Sequence, residues 1–302
     1  MPSKVPFLMN GGVSFAATTP LWYTLQWDNN ICHTGNRKKT HWLTILQFME
    51  AEKYGYKEYV DQNGRTWHEW AQKHETTPFD PPSSSKPAHL QKSSFTLQEE
   101  IELYSLPTSI DKYIEYFTRH YHNLNGEYKY VADFSNKNCT LHPEFLMDIR
   151  DKMLEAFDIK VTMIFRDPVR RIWSNCKCDM DKVFRKPADK KPQWHYDIMY
   201  QNHVDTWGEE NVYPIIMEDV WQDPSGLADF LGVKIDKMHR NCYWPEMGMN
   251  IPKYKWLRDQ YQWETKPVPY DYLRERLDFL YVNFEKKFGY IPKEWRKREF
   301  DI

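Results

Sequence analysis

VTMIFRDPVRRIWSNCK, residues 161–177, joins an unbroken apolar run to a charged turn and then to a helix-forming segment. Val161 to Phe165 has the continuous apolarity of a strand buried on both faces, as in a parallel sheet. It runs straight into Arg166-Asp167-Pro168, and proline suits the first turn of a helix, where a missing N–H costs nothing. The strand thus ends with a guanidinium at its tip, and Ser174 follows on the helix. Arg166 and Ser174 can converge on one terminal phosphate, because the planar fork of arginine meets two oxygens at once. The plainer alternative pairs Arg166 with Asp167 or another carboxylate as a structural bridge.

The same strand, turn and helix order stands near the start of the chain. VPFLMNGG (5–12) reads as a short buried strand ending in a glycine pair. TTPLWYTLQW (18–27) reads as a helix with Thr18 or Thr19 as its cap and Pro20 in its first turn. Gly11 and Gly12 permit backbone conformations closed to other residues. Successive N–H groups at a helix start attract an anion, and Thr18 and Thr19 can donate hydroxyls to it. No lysine precedes the threonines, so this is not the nucleoside-triphosphatase pattern. An ordinary glycine turn before a capped helix is the competing reading.

Outward from these two stretches the chain alternates strand and helix. ICHTGNRKKTHWL (31–43) reads as a second strand with a basic segment. A helix over 109–122 carries Ile110, Tyr113, Ile114, Phe117 and Tyr121 on one face, with Ser109 as cap. Tyr128–Phe134 reads as a strand, and Pro143 opens a helix whose apolar face runs from Phe145 to Phe157. A helix over 197–209, a strand over Val212–Met217 and a short helix over 224–231 closed by Gly232 follow. The last helix carries Leu273 to Phe288 and stops at Gly289. This alternation predicts an α/β fold, one domain over 1–302, with a central, mainly parallel sheet flanked by helices. Function is expected at the carboxyl ends of its strands. Three stretches break the pattern: an insertion over 44–108 containing a Pro- and Ser-rich loop at 76–96, a charged loop at 184–196, and an irregular, aromatic-rich lid over 241–268.

Composition narrows the function. With 41 Lys and Arg against 43 Asp and Glu in 302 residues, the net charge of −2 argues against a nucleic-acid coat or a membrane-surface protein. No apolar run approaches the roughly 18 residues of a membrane helix. The N-terminal apolar stretch is too short for a secretory signal. Five cysteines cannot all pair, and Cys176 and Cys178 lack the spacing of a zinc or redox motif, so scattered reduced thiols in a cytoplasmic protein are expected. The 11 histidines show no metal spacing, and no metal is expected. Aromatic residues, 16% of the chain, must supply much of the core.

RDPVRRIWS (166–174) resembles the 3′-phosphate-binding segment of sulfotransferases that use 3′-phosphoadenylyl sulfate (PAPS). Other stretches resemble that family in order. FLMNGGVSFAATTPLW is similar to its 5′-phosphosulfate loop, ICHTGNRKKTHWL to its second strand, and SIDKYIEYFTRHY to the helix before its third strand. IIMEDVWQDPSGLADFLGV is similar to a later family segment ending in Phe-Leu-Gly, and the last helix to its closing helix. The resemblance implies a P-loop-like nucleotide-binding architecture. It implies that Arg166 and Ser174 bind the 3′-phosphate. It implies that Thr18, Thr19 and the backbone from Gly12 to Ala17 hold the 5′-phosphosulfate. It further implies that His41 is the base that takes a proton from a hydroxyl or amine of a small-molecule or carbohydrate acceptor, leaving adenosine 3′,5′-bisphosphate. An imidazole suits that task at cellular pH, and neighbouring Lys38 and Lys39 would favour its neutral form.

The sequence departs from the family at one point of chemical weight. A Lys or Arg normally stands in the phosphosulfate loop where this chain has Phe15, and losing one electrostatic donor costs on the order of 10²–10³-fold in rate. Either Lys38 or Lys39 reaches in from the adjacent segment, or the chain is a weakened relative that binds nucleotide or glycan without turnover. In the carbohydrate branch the base is a Glu, and Lys39 stands in that slot. The Glu-Lys-Thr-Pro stretch of that branch is eroded to Asp133-Phe134-Ser135. A kinase-like phosphotransferase would need a lysine in the first loop, which is absent. Glu218 and Asp219 read as capping and pairing residues rather than an acid/base dyad.

Overall fold

The computed structural model describes residues 4–13, 16–34, 40–50, 53–54, 109–175, 194–236, 238 and 270–296. Five strands form one sheet: β1 (Val5–Asn10), β2 (Cys32–His33), β3 (Tyr130–Asp133), β4 (Phe157–Phe165) and β5 (Val212–Ile216). Their order is β2-β3-β1-β4-β5, and every pairing is parallel. The chain goes from β1 out to β2, returns to β3 at one side of β1, and then crosses to β4 and β5 on the other. This makes β1 the central strand and puts the reversal of strand order beside it, where open α/β sheets bind their ligands.

The helices are those that local signals announce. Ser109 caps the helix Ile110–Asn123 by accepting from the Lys112 N–H at 3.2 Å, and Pro143 sits in the first turn of Pro143–Ala156. Gly232 and Gly289, at φ 58° and 82°, close the helices Ser225–Leu231 and Asp278–Phe288 in the left-handed conformation that glycine adopts without strain. Rings fill the core. Phe7 in β1 stacks on Phe157 at 4.7 Å and meets Phe117 edge-on at 5.0 Å. At the far end of β4, Phe165 lies 4.7 Å from Tyr196, which opens the helix Tyr196–Trp207. That helix is fastened across the sheet by His203. The Trp207 indole N–H donates to His203 Nδ1 at 3.2 Å, so Nε2 carries the ring proton and donates to the Asn138 carbonyl at 3.1 Å. Burial holds this imidazole neutral, with its pKa down to about 4.

Four expectations need correction. The second strand is only Cys32–His33; Trp42 and Leu43 lie in the helix Trp42–Met49, whose apolar side is buried against the core. That helix also takes in the first residues of the expected insertion. The cap of the first helix, Thr18–Tyr23, is Ala17 rather than Thr18 or Thr19, and it makes no side-chain capping bond. This helix runs into a π-helical turn over Thr24–Asp28. Phe157 begins β4 instead of ending a helix, and the last helix breaks at Leu277 into Tyr270–Arg276 and Asp278–Phe288. The loops at 76–96 and 184–193 and the segment at 241–268 lie outside the described residues. Cys32 and Cys139 are free and buried, and burial pushes both thiols up, Cys139 to about 11. Among the described residues no helix is long and apolar enough to cross a membrane.

Phe7 is completely buried at the centre of this ring cluster. Phe7→Ala is expected to lose about 3–5 kcal/mol of stability. Urea unfolding checks this, and a fall below about 1 kcal/mol would mean that the cavity collapses or the packing is not as described.

Candidate functional site at the carboxyl edge of the sheet

The turn that leaves β1 is built against β4. Asn10 pairs with Thr162, and the Gly11 N–H extends the ladder by donating to the Thr162 carbonyl at 2.8 Å. Gly12 then crosses β4 so closely that a Cβ would stand 2.4 Å from Ile164 Cγ2, 2.9 Å from Asn10 Oδ1 and 3.0 Å from Thr18 Cγ2. Only a residue without a side chain fits there. Two of the amides expected to face an anion donate inside the turn instead: Gly12 N–H to Asn10 Oδ1 at 3.3 Å, and Ala16 N–H to the Val13 carbonyl at 3.3 Å. The cause is Asn10, whose side chain folds back over the strand end. Its Oδ1 is thereby fixed as an acceptor, while its fully buried Nδ2 has no hydrogen-bond partner. Ala17 takes φ 59°, ψ 27°, a left-handed conformation that costs roughly 1–2 kcal/mol in a non-glycine residue. Thr18 is buried as the first helical residue. Ser14, Phe15 and the Thr19 side chain lie outside the described residues.

Arg166 follows β4 two residues beyond Ile164, which places it about 7 Å further along the strand direction. The glycine turn and the arginine therefore stand on neighbouring strand tips. The Tyr196 hydroxyl donates to the Arg166 carbonyl at 2.8 Å, and the residue is buried. Asp167 is engaged elsewhere. Its Oδ1 accepts from the Arg170 N–H at 2.8 Å, capping the helix Pro168–Asn175, and its Oδ2 accepts from the hydroxyls of Tyr270 at 3.0 Å and Tyr281 at 2.8 Å. Burial raises its pKa. Glu218, just past β5, accepts from the Trp295 indole N–H at 2.9 Å. Burial pushes Glu218 up to about 7, against the pull of that indole and of the positive charge on Arg166. Asp219 points outward and accepts from the Tyr290 hydroxyl at 3.3 Å, so the two acids form no dyad. The Ser174 side chain lies outside the described residues.

His41 stands in the turn that leads into the helix Trp42–Met49, not on a strand, with φ 54°. Lys38 and Lys39 lie outside the described residues. What holds this turn is a residue that the sequence reading gave no role. Asp133 ends β3 opposite Met9 of β1 and is fully buried. Its Oδ2 accepts from the Tyr113 hydroxyl at 3.0 Å, the Thr40 hydroxyl at 3.3 Å and Asn138 Nδ2 at 3.3 Å. Its Oδ1 accepts from the Ser135 N–H at 2.9 Å and the Ser135 hydroxyl at 2.5 Å. Ser135 Oγ in turn accepts from the His41 N–H at 2.8 Å. The only local signal was an aspartate two residues before a serine at a strand end, a pattern that favours an Asx turn.

No protein-family model and no curated protein matches the chain. Among solved structures, it is similar to a sulfotransferase from Alicyclobacillus acidocaldarius (14% identity, TM-score 0.48, over 98% of this chain and 100% of that one). It is also similar to the sulfotransferase domain of the Synechococcus PCC 7002 olefin synthase (17%, TM-score 0.48, over 97% and 98%). A third likeness is to the sulfotransferase domain from the Curacin biosynthetic pathway (13%, TM-score 0.46, over 96% and 99%). At these identities and TM-scores the function has to be argued from the chain's own residues.

Glu218 gives the site a measurable pH signature. A carboxyl raised in the folded state stabilises fully below its unfolded pKa, and that contribution is lost as pH rises through its folded value of about 7. Between about pH 4.5 and 7, wild type should therefore lose stability relative to Glu218→Gln, by up to about 1.4 kcal/mol per pH unit. Denaturant unfolding of both proteins at pH 5 and pH 7 tests this. A constant gap between them would remove Glu218 from the buried, uncharged role.

Proposed function

We propose that the chain is a sulfotransferase that moves a sulfuryl group from PAPS to a hydroxyl or amine of a small-molecule or carbohydrate acceptor, leaving adenosine 3′,5′-bisphosphate. The observation that supports the reading is the juxtaposition of two strand tips whose residue types suit anions. The glycine turn leaves β1 and Arg166 ends β4, with Asn10 opposite Thr162, beside the reversal of strand order. A nucleotide with phosphate at both its 5′ and 3′ positions needs two such points on one edge. The donor set suits it. Arg166 carries a fixed charge, and Asn10 Nδ2 is a buried donor without a protein partner.

In this reading Arg166 and Ser174 hold the 3′-phosphate, and Thr18, Thr19 and the later amides of the turn hold the 5′ end. PAPS supplies an activated sulfuryl group. Sulfuryl transfer, like phosphoryl transfer, asks the protein mainly to orient reactants and neutralise charge. His41 accepts the proton of the acceptor hydroxyl or amine, a task for which an imidazole is suited near neutral pH. Lys38 or Lys39 supplies the positive charge that Phe15 does not. Phe15 also supports a second reading, in which the chain binds nucleotide or glycan without turnover.

Calorimetry with adenosine 3′,5′-bisphosphate tests the assignment. Binding is expected, weakened at least about tenfold in Arg166→Ala, the worth of a charged hydrogen bond. No binding to wild type, or equal binding to the variant, overturns it. Transfer of labelled sulfate from PAPS to phenols, sugars or glycolipids, abolished in His41→Ala, rules out the binding-only reading.

A further inference from the structure

We infer that Ser135, itself held by Asp133, is the positioning residue for His41: it fixes the backbone from which the imidazole projects. The inference rests on the reading of His41 as the base.

Strand β2 is two residues long, so no sheet ladder extends to residues 40–41. The chain there is fixed by a polar clamp to the end of β3. The Thr40 hydroxyl lies 3.3 Å from both Asp133 Oδ2 and Ser135 Oγ, and the His41 N–H donates to Ser135 Oγ at 2.8 Å. The polarity of the clamp follows from Asp133. Five donor groups converge on its two oxygens, and the Ser135 hydroxyl is one of them. Having spent its proton on Asp133, the hydroxyl has its lone pairs left, and the His41 N–H takes one.

Asp133 and Ser135 are fully buried, and Thr40 nearly so, which strengthens these bonds by excluding water. His41 meanwhile sits at φ 54°, a backbone state uncommon outside glycine, which persists where its surroundings impose it. The backbone angle sets the direction of the Cα–Cβ bond, so the clamp sets where the ring begins. Because Asp133 pairs with Met9, three residues before Gly12, the clamp ties the base to the strand that carries the glycine turn. The base and the donor loop thus share one rigid frame, a requirement when a misplacement of about 1 Å can cost 10²-fold in rate.

The test compares Ser135→Ala, Ser135→Thr and His41→Ala for sulfate transfer and bisphosphate binding. Ser135→Ala is expected to lower kcat by about 10²-fold, with KM for PAPS and bisphosphate affinity unchanged. Ser135→Thr, which keeps the hydroxyl, is expected to restore most of the rate. Full activity of Ser135→Ala beside an inactive His41→Ala overturns the clamp and leaves the base in place. A parallel loss of bisphosphate affinity overturns it too, since Ser135 would then serve the nucleotide site or the fold. Activity surviving in His41→Ala instead removes the base assignment. Histidine-ring NMR then decides the clamp alone, as it does if no acceptor turns over or Ser135→Ala fails to fold. The His41 signal, identified by its loss in His41→Gln, should keep its position in Ser135→Thr and shift or split in Asp133→Asn and Ser135→Ala. An unchanged signal in every folded variant overturns the inference.

Discussion

The carboxyl edge of this sheet depends on how closely the backbone after β1 can approach β4. The Gly11 N–H closes on the Thr162 carbonyl, and Gly12 passes where any Cβ would overlap Ile164. These two contacts keep the turn in register with β4 for two residues past the end of β1. With the turn pressed down, it lies against the end of β4, and the parallel order of the sheet makes that neighbourhood the place where the strand sequence reverses.

The charges around that edge follow one rule. Asp133, Asp167 and Glu218 each stand at or just past the end of a strand, and each is buried. Their direct partners are neutral donors: hydroxyls for Asp133, two tyrosines and a helix amide for Asp167, an indole for Glu218. Asp167 is the instructive case. It is adjacent to Arg166 in sequence and could have neutralised it, yet both of its oxygens are taken by the helix cap and the tyrosines of the last two helices. The acid serves the fold, tying the helix that follows β4 to the last two helices.

What the sequence disclosed and what it hid divide along range. Ser109, Pro143, Gly232 and Gly289 act within one helical turn, and each stands where its chemistry said it would. The second half of strand β4 and the Arg166-Asp167-Pro168 junction were legible for the same reason, since four apolar residues in a run of five and a proline are a local signal. The cap at Ala17 was not, because alanine advertises no left-handed preference and tertiary packing imposed the angle. Strand β2 was misread as long, since a polar, basic segment cannot be told by periodicity from a strand lying at a sheet edge. Asp133 was hidden most deeply. Its donors come from positions 40, 113, 135 and 138, and only the folded chain brings them together. The His33–His120 contact, 3.0 Å between buried ring nitrogens, was out of reach on the same ground.

Backbone geometry separates the two edges of the sheet. Among the described residues four besides glycine have positive φ: Ala17, Asn30, His41 and Asn125. Asn30 and Asn125 precede β2 and β3, at the amino edge, and asparagine tolerates this region because its short amide bonds locally. Ala17 and His41 follow β1 and β2, at the carboxyl edge. Alanine has no such compensation, and the His41 N–H finds its partner on another strand's tip rather than locally. Unrelieved strain of this kind is held by the surrounding structure and concentrates where a fold must aim a group. The amino edge turns the chain with residues made for turning. The carboxyl edge spends conformational energy to fix two points of backbone beside the central strand, and those points carry the first helix and the imidazole.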